Sequence, residues 1–481
     1  MNTMKTKKSE LITISILTII CAIAYISLCN NTNIWMDEAF TATLVHNSFL
    51  GVLYRSMLDT LPPLYNIILK ASTSVFGYHI YVMKLTSVVP MILTLILGAT
   101  TVRRRFGLIT ASAFNICITG MPLMLYFGVE IRMYSLGFFF ATASGIFAYE
   151  VVRESCKKNW IMFTCFSVLA GYSHHFAFVA VGFVYLFLLI YYFCADRTHI
   201  ARWFKCLGAT FAMYFPCMLV TLKQLGNVSG YFSMPDITIP LFIQYVTYPY
   251  MVGRIVASIA CLAIMLVLVC LVAFKIIKGQ DRSSDTIYSI ACFCVYYGVL
   301  IFGTIVSKIM TANIFVDRYL FFSTGLLWLF VAIQIGKLPN ILKIIFIALC
   351  VYIGISSYVV EWSVEYGNSA DEEIAYLREN VNRGDCFYAI GGHEELECCI
   401  PFLSLIADEH APLVCVAPLD SAIDRIEEYN ETSLWIAILE GCEPSSEDLK
   451  TLNDRGYELS YMTDFDFDRY ACQLYKVIPL H

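Results

Sequence analysis

The most informative shortage in this sequence is charge. Only 15% of its 481 residues are Asp, Glu, Lys or Arg, whereas 58% are hydrophobic and 15% are aromatic. The mean hydropathy is +0.68, far above the value expected of a water-soluble domain. These values exclude a soluble globular protein, and they predict a polytopic α-helical membrane protein.

Several sequence signatures are also missing. The chain has 19 cysteines, but no Cys pair at zinc-site spacing, no glycine-rich phosphate loop and no internal repeat. Most cysteines lie scattered in apolar runs, where the side chain acts as a small hydrophobe. Nucleic acid is not expected as a partner, since the 32 Lys and Arg are outnumbered by 38 Asp and Glu.

Long apolar runs recur along most of the chain. About eleven of them approach the ~20 residues that a helix needs to cross the hydrocarbon of a bilayer. They lie at residues 11–28, 81–101, 108–127, 136–152, 160–171, 176–194, 206–222, 255–273, 287–305, 319–335 and 341–359. The first run follows three lysines as a signal peptide would, but no small-residue cleavage site comes after it, so we expect an uncleaved anchor.

The basic residues predict the orientation of these spans. Arg103-Arg104-Arg105 and most other Lys and Arg of the loops fall on one side when the amino terminus is placed in the cytoplasm. An odd number of spans then leaves the carboxyl-terminal segment outside. The sequence therefore predicts a multi-pass protein of the cell membrane, with a cytoplasmic amino terminus and an extracytoplasmic C-terminal domain.

The composition changes after residue 360 and divides the chain into two predicted domains. Residues 1–360 form a transmembrane domain that we expect to be catalytic, and residues 361–481 form an acidic extracytoplasmic α/β domain. In the second, the patterns predict helices at 369–380, 422–429 and 446–455 and strands at 386–390, 413–417, 434–439 and 472–477. Its cysteines are free to form disulfides outside the cell, but the sequence leaves their pairing open.

The first external loop, residues 30–79, is too long for a tight turn. It contains two apolar, helix-like pieces around 40–58 and 64–76, which are separated by Pro62-Pro63. We expect these pieces to be interfacial helices, with apolar faces on membrane lipids and polar faces toward the outer compartment.

Acidic residues before residue 360 gather at the predicted outer face and are almost absent from the spans. The most prominent are Asp37-Glu38, set between apolar neighbours in an irregular or extended loop; the others are Asp59, Glu130, Asp236 and Asp317. An ion-coupled transporter would be expected to carry ionisable residues near the bilayer midplane. The distribution instead favours an active site at the outer interface.

Cationic residues are expected at the same face. Glu130-Ile131-Arg132 ends the third run, Asp317-Arg318-Tyr319 precedes the tenth, and His174-His175 lies in the turn after the fifth. Taken singly, the charged residues of the first two segments fit helix ends that are solvated or that snorkel to the interface. The two histidines fit an ordinary polar turn. Taken together, these groups match a substrate that carries a phosphate in the membrane.

These motifs in this order resemble the GT-C glycosyltransferases. The resemblance rests on Asp-Glu-Ala-Phe at 37–40, Asp-x-x-Pro-Pro-Leu-Tyr at 59–65, Glu-x-Arg-Met-Tyr at 130–134, and Arg-Tyr at 318–319. It covers essentially the whole chain and is strongest toward family-39-like bacterial enzymes similar to protein O-mannosyltransferases and the lipid A aminoarabinose transferase. It implies a polyprenyl-phosphate-linked sugar donor and an acceptor hydroxyl or amine on an envelope glycan, lipid or protein.

The resemblance also implies roles for single residues. Asp37 is the expected general base with Glu38 beside it. Glu130 and Arg132 match the family's Glu-Arg motif, and Arg318 and Tyr319 match its late Arg-Tyr pair, which is expected near the lipid phosphate. The first-loop motif adds Asp59, Pro62, Pro63 and Tyr65. One position departs from the pattern, because the residue before the two prolines is commonly His or Lys in such enzymes, where it meets phosphate, and here it is Leu61.

Because of Leu61, the donor phosphate must be held by other groups. Those available are Arg132, Arg318 and His174, or a divalent cation for which Asp37 and Glu130 are the expected ligands. A lipid phosphate leaves as an anion without needing a proton, so one carboxylate base suffices and inversion at the sugar carbon is expected. The alternative interpretations are a multi-span transporter or lipid flippase, and a non-catalytic scaffold that presents the acidic tail.

Overall fold

The computed structural model describes residues 2–231, 236–251, 253–310, 313–381, 385–390, 399–400, 402–403, 405–406, 415–416, 434–439, 444–467 and 470–480. Helices dominate as far as residue 380. They are α1 (Asn2–Ser27), α2 (Met36–Val45), α3 (Phe49–Leu58), α4 (Leu64–Phe76), α5 (Ile80–Leu97), α6 (Arg103–Gly120), α7 (Met124–Val129), α8 (Tyr134–Arg153), α9 (Lys157–Ser173), α10 (His175–Cys194), α11 (Ile200–Tyr231), α12 (Ile239–Thr247), α13 (Ile255–Ile277), α14 (Ser284–Ile309), α15 (Phe321–Gly336), α16 (Asn340–Gly367) and α17 (Asp371–Asn380).

Within the described ranges, nine helical stretches are long and apolar enough to cross a membrane. One of them, Ile80–Gly120, has 41 residues and would measure about 60 Å as a single helix, twice the ~30 Å of a hydrocarbon core. It contains both α5 and α6 and so supplies two crossings. The 17-residue α9 is shorter than the nine stretches and packs against α8 and α11. These helices confirm the prediction of a polytopic α-helical membrane protein.

A single glycine within α6 reverses the chain. Gly107 has φ +86° and ψ 173°, a backbone conformation that is essentially restricted to glycine. Beyond the reversal α6 runs back along α5, and the side-chain amide of Asn115 donates to the carbonyl oxygen of Leu95 at 3.2 Å. The predicted boundary between the second and third spans, residues 102–107, is therefore confirmed.

Two helices form the interior of the membrane region. Nearly all residues of α8 and α15 are buried, and α15 packs against α6, α8 and α14. Small residues allow close approaches elsewhere in the bundle. A Cβ at Gly120 of α6 would lie 2.5 Å from the Cα of Gly354 in α16, so only glycine permits these two backbones to touch. Close backbone packing of this kind is typical of helices in a bilayer.

The first external loop is helical over α2, α3 and α4, as the two apolar pieces and the intervening prolines predicted. The prediction merged α2 and α3, which are separate helices joined by residues 46–48. Both α3 and α4 expose large apolar side chains, among them Leu50 at 80% and Phe76 at 72%. Such faces fit helices that lie on lipid.

The C-terminal segment forms a small mixed sheet. Its strands are β1 (Cys386–Ile390), β2 (Cys415–Val416), β3 (Leu434–Leu439), β4 (Tyr457–Phe467) and β5 (Tyr470–Pro479), with α18 (Ser446–Asp454) preceding β4. The spatial order is β2-β1-β3-β5-β4; β1 is parallel to β2 and β3, and β5 is antiparallel to β3 and β4. The predicted α/β character is confirmed. The predicted helix at 422–429 lies outside the described residues, and β4 was not predicted.

The chain separates into two compact units, and neither is continuous in sequence. The first comprises Met1–Cys29, Leu53–Ile68 and Lys84–Glu361, and the second comprises Asn30–Val52, Leu69–Met83 and Trp362–His481. Within the second unit, the hydroxyl of Thr32 donates to Asp371 at 2.9 Å and lies 2.8 Å from the hydroxyl of Ser369. Part of the first external loop is thus tied to the segment that starts the C-terminal domain.

Candidate functional site

An interruption between α7 and α8 places two charged residues in the interior of the first unit. Helix α7 ends at Val129, and Glu130 adopts φ −55° and ψ 139°. The backbone N–H of Arg132 donates to the carbonyl oxygen of Glu130 at 2.7 Å, so the chain turns tightly before α8 begins. Glu130 is 3% exposed and Arg132 is 8% exposed. Their side chains are therefore held inside the protein, which a solvated helix end would not require.

His174 is the N-cap residue of α10. Its φ of −164° is extended, and its ring Nδ1 accepts a hydrogen bond from the backbone N–H of Phe176 at 3.1 Å. The ring stacks on Phe322 with centroids 4.2 Å apart and packs against Tyr319 at 4.8 Å. Burial lowers the pKa of His174 well below its usual 6.5, and the charges of His175, Arg132 and Arg318 lower it further. Both arginines therefore lie close to this ring.

The turn before α15 carries Arg318. Residues Asp317–Leu320 form a 3₁₀ turn, in which a carboxylate oxygen of Asp317 accepts from the backbone N–H of Arg318 at 2.7 Å. Tyr319 stacks on Phe176 at 5.1 Å as well as packing against His174. The structure thus brings together Arg132, His174, Arg318 and Tyr319, four residues that the sequence had singled out as phosphate-binding candidates.

Tyr248 belongs to the same region and was missed by the sequence analysis. It begins the 3₁₀ turn Tyr248–Tyr250. Burial raises the pKa of Tyr248 well above 10, and the nearby groups Asp317, Tyr134 and Glu130 raise it further. Its hydroxyl accordingly stays protonated at neutral pH and is able to donate a hydrogen bond. The sequence feature that could have pointed to Tyr248 was the Tyr-Pro-Tyr segment directly after the short helix α12.

The first-loop motif packs beside the amino end of α10. A carboxylate oxygen of Asp59 accepts from the backbone N–H of Thr60 at 2.6 Å, and the carbonyl oxygen of Thr60 lies 3.2 Å from Nε2 of His175. Pro62 and Pro63 separate α3 from α4, since proline cannot continue a helix but suits its first turn. Four residues after Leu61, the hydroxyl of Tyr65 lies 2.6 Å from that of Ser87 in α5.

Lys84 is a second residue that the sequence analysis undervalued. It was not singled out in the sequence, yet it is 1% exposed in the first turns of α5. It lies three residues before Ser87, on the helix face that meets Tyr65 of the first-loop motif. A single lysine within an apolar run was the available signal, because ionisable residues in spans are costly and usually functional.

Asp37 and Glu38 belong to the second unit. The expectation of an irregular or extended loop was wrong, because both residues lie in the first turn of α2. Glu38 is buried, and its carboxylate accepts from the backbone N–H of Trp35 at 3.2 Å. This bond satisfies a donor that the start of a helix otherwise leaves unpaired. Asp37 is half-buried and points about 100° away around the helix axis.

Metal ligands are not clustered in the part of the chain that the structure describes. Within those ranges, no group of three or more His, Cys, Asp or Glu is arranged to hold an ion. The residues named for a divalent cation, Asp37 and Glu130, fall in different units. The expected divalent cation stays a prediction.

An apolar cleft lies elsewhere in the bundle. It is lined mainly by α8, α10 and α14, including Tyr149, Leu188 and Tyr288. The hydroxyl of Tyr288 donates to the carbonyl oxygen of Gly145 at 2.9 Å, and the hydroxyl of Tyr149 donates to Asp285. The cleft adjoins the carboxyl-terminal halves of α8 and α10, so it does not include His174 or Arg132.

Comparison with known proteins identifies the fold. No protein-family profile and no curated protein matches the chain. Among solved structures, ArnT from Cupriavidus metallidurans in the apo state has a TM-score of 0.67 at 8% identity, covering 96% of this chain and 97% of that chain. The same protein bound to undecaprenyl phosphate has a TM-score of 0.65 at 10% identity, covering the same shares. The chain therefore shares the fold of these ArnT structures, in agreement with the fold expected from the motifs.

Proposed function

We propose that this protein is a membrane glycosyltransferase that moves a sugar from a polyprenyl-phosphate donor to a hydroxyl or amine of an envelope glycan, lipid or protein. The observation that carries the proposal is the cluster of Arg132, His174 and Arg318, of which Arg132 and His174 are buried, within a fold shared with ArnT. The guanidinium group is a planar fork of permanently charged donors that suits phosphate. One of the ArnT structures is described as bound to undecaprenyl phosphate.

In the proposed reaction, Asp37 removes the proton from the acceptor hydroxyl or amine as the acceptor attacks the anomeric carbon. The bond between that carbon and the phosphate oxygen breaks, and the polyprenyl phosphate leaves with the electron pair. Arg132 and Arg318 stabilise the negative charge on the departing phosphate. Attack and departure occur on opposite sides of the carbon, so the anomeric configuration inverts.

The neighbouring groups have supporting roles in this proposal. Glu38 is committed to the amino end of α2 through Trp35, which leaves Asp37 as the base. Tyr248 keeps its proton and supplies a neutral donor to the sugar or the phosphate. Glu130, close to Tyr248, orients the acceptor or Arg132. Tyr319 packs against the ring of His174 and so fixes its position.

Mass spectrometry of cell-envelope extracts tests the proposed activity. Cells without the gene should accumulate one polyprenyl-phosphate sugar and should lose one sugar-bearing envelope product, because the donor is made but not consumed. Expression of the parent chain should reverse both changes. If neither the lipid-linked sugars nor the envelope glycans differ between the two strains, the proposed donor class is wrong.

The proposed orientation has a cytoplasmic amino terminus and an extracytoplasmic C-terminal domain, because the basic loops should remain inside. A phosphatase reporter that is active only outside the cytoplasm should be active when fused after His481. The same reporter fused in the loop at residues 278–283 should be inactive and serves as the control. The opposite pattern would place the Arg132 cluster at the cytoplasmic face and would contradict the proposal.

A further inference from the structure

The ring of His174 has a defined proton arrangement. Its Nδ1 accepts the backbone N–H of Phe176, and a ring nitrogen that accepts a hydrogen bond carries no proton. The neutral imidazole must therefore carry its single proton on Nε2. Because the accepting contact is part of the amino end of α10, the helix itself selects this tautomer.

Among the residues that the structure describes, none accepts a hydrogen bond from the buried Nε2–H group of His174. The residue is 1% exposed. Buried polar groups are nearly always paired, because an unsatisfied donor loses its hydrogen bond to water and gains nothing in return. An unsatisfied group of this kind marks a place where a ligand atom is expected.

The surroundings restrict what that ligand atom can be. Phe322, Tyr319 and Phe176 pack around the ring, so the imidazole cannot rotate away from its direction. Arg132 and Arg318 lie close enough for their charges to act on the ring. A ligand that accepts from this neutral N–H donor beside two guanidinium groups should be an anion with several oxygen atoms, because each oxygen can then accept from a different donor.

We propose that Nε2–H of His174 is a neutral hydrogen-bond donor to a non-bridging phosphate oxygen of the polyprenyl-phosphate substrate and product. This inference rests on the proposed function and specifies the phosphate-binding group within it. A neutral donor adds a directed bond without adding a third positive charge to the cluster. It therefore fixes the position of the phosphate while leaving the product able to dissociate.

Two substitutions separate the donor from the helix cap. In His174→Asn, the side-chain carbonyl still reaches the position of Nδ1 and can accept from Phe176, but nothing replaces Nε2–H. In His174→Gln, the longer side chain places its amide N–H near the position of Nε2, and the cap is weakened. Binding of undecaprenyl phosphate to the purified full-length protein in nanodiscs is measured for both, together with the thermal midpoint.

The expected result is a crossed pattern. His174→Asn should weaken undecaprenyl phosphate binding roughly 10- to 100-fold, the range for loss of one hydrogen bond to a charged group, with little change in the midpoint. His174→Gln should retain most of the binding and should have the lower midpoint. A merely structural histidine would instead change binding and stability together in both variants.

The outcomes distinguish this inference from the function on which it rests. If the parent protein does not bind undecaprenyl phosphate, the proposed function fails. If the parent binds it and His174→Asn binds it equally well, only the assignment of His174 fails. Inorganic phosphate is titrated in parallel: if it binds the parent as tightly as the lipid does, the site serves free phosphate and the proposed lipid source is overturned.

Discussion

Asp37→Asn is expected to reduce sugar transfer roughly 10²- to 10⁴-fold, the range typical of losing general-base help. The change keeps the size of the side chain and its hydrogen-bonding capacity but removes the proton acceptor. Folding should survive, because Asp37 is half-buried and the cap at the start of α2 is supplied by Glu38. The measurement is initial rate with purified protein, a lipid-linked sugar and the acceptor identified from the envelope extracts.

Glu38→Gln is the matched control for this prediction. The glutamine carbonyl oxygen can still accept from the backbone N–H of Trp35, so both the helix start and the rate should stay close to those of the parent. An Asp37→Asn protein that inserts normally and transfers at the parental rate would move the base to Glu38 or Glu130. Activity in all three carboxamide variants, including Glu130→Gln, would require abandoning the glycosyltransferase proposal.

Arg318→Ala is expected to weaken the apparent affinity for the lipid-linked sugar by roughly 10- to 100-fold, since a hydrogen bond to a charged group contributes about 1.5–3 kcal/mol. The affinity of Arg318→Lys should lie between those of Arg318→Ala and the parent, because an ammonium keeps the charge but lacks the planar guanidinium fork. Competition between labelled and unlabelled donor lipid measures the effect directly.

Arg254→Ala provides the control for Arg318. Arg254 precedes α13 and is exposed, so its removal changes the net charge equally without touching the cluster. The affinity of the Arg254 variant should match that of the parent. Equal affinities for the Arg318→Ala variant and the parent would show that Arg318 is only a cation at a helix end.

The spans were predictable because a bilayer imposes a length on every helix that crosses it. Apolar runs of the required length stand out from the sequence alone, and even the short run at 160–171 proved to be part of a helix, α9. Strand β4 was missed although its sequence alternates, with Tyr457, Leu459, Tyr461 and Phe465 at every second or fourth position. The acidic residues between them hide this alternation, and a register shift interrupts the pairing between Tyr461 and Thr463.

The candidate site was predictable in its residue types but not in its burial. Sequence motifs pointed to Arg132, His174 and Arg318, yet the sequence favoured an ordinary polar turn for the two histidines. What buries His174 is the packing of Phe322 and Tyr319, which lie about 145 residues further along the chain. Tyr248 and Lys84 were overlooked for the same reason, since hydropathy does not reveal which residues at helix ends turn inward.

The reversal at Gly107 has a consequence for biogenesis. Three arginines, Arg103-Arg104-Arg105, immediately precede it, and moving each through the centre of the bilayer would cost about 2.5–3.5 kcal/mol. Helices α5 and α6 are therefore best inserted together as a hairpin whose tip never crosses. Any side chain at position 107 would strain that tip by about 1–3 kcal/mol. Such a substitution should lower the amount of protein that inserts into the membrane. The activity of each inserted molecule should change less.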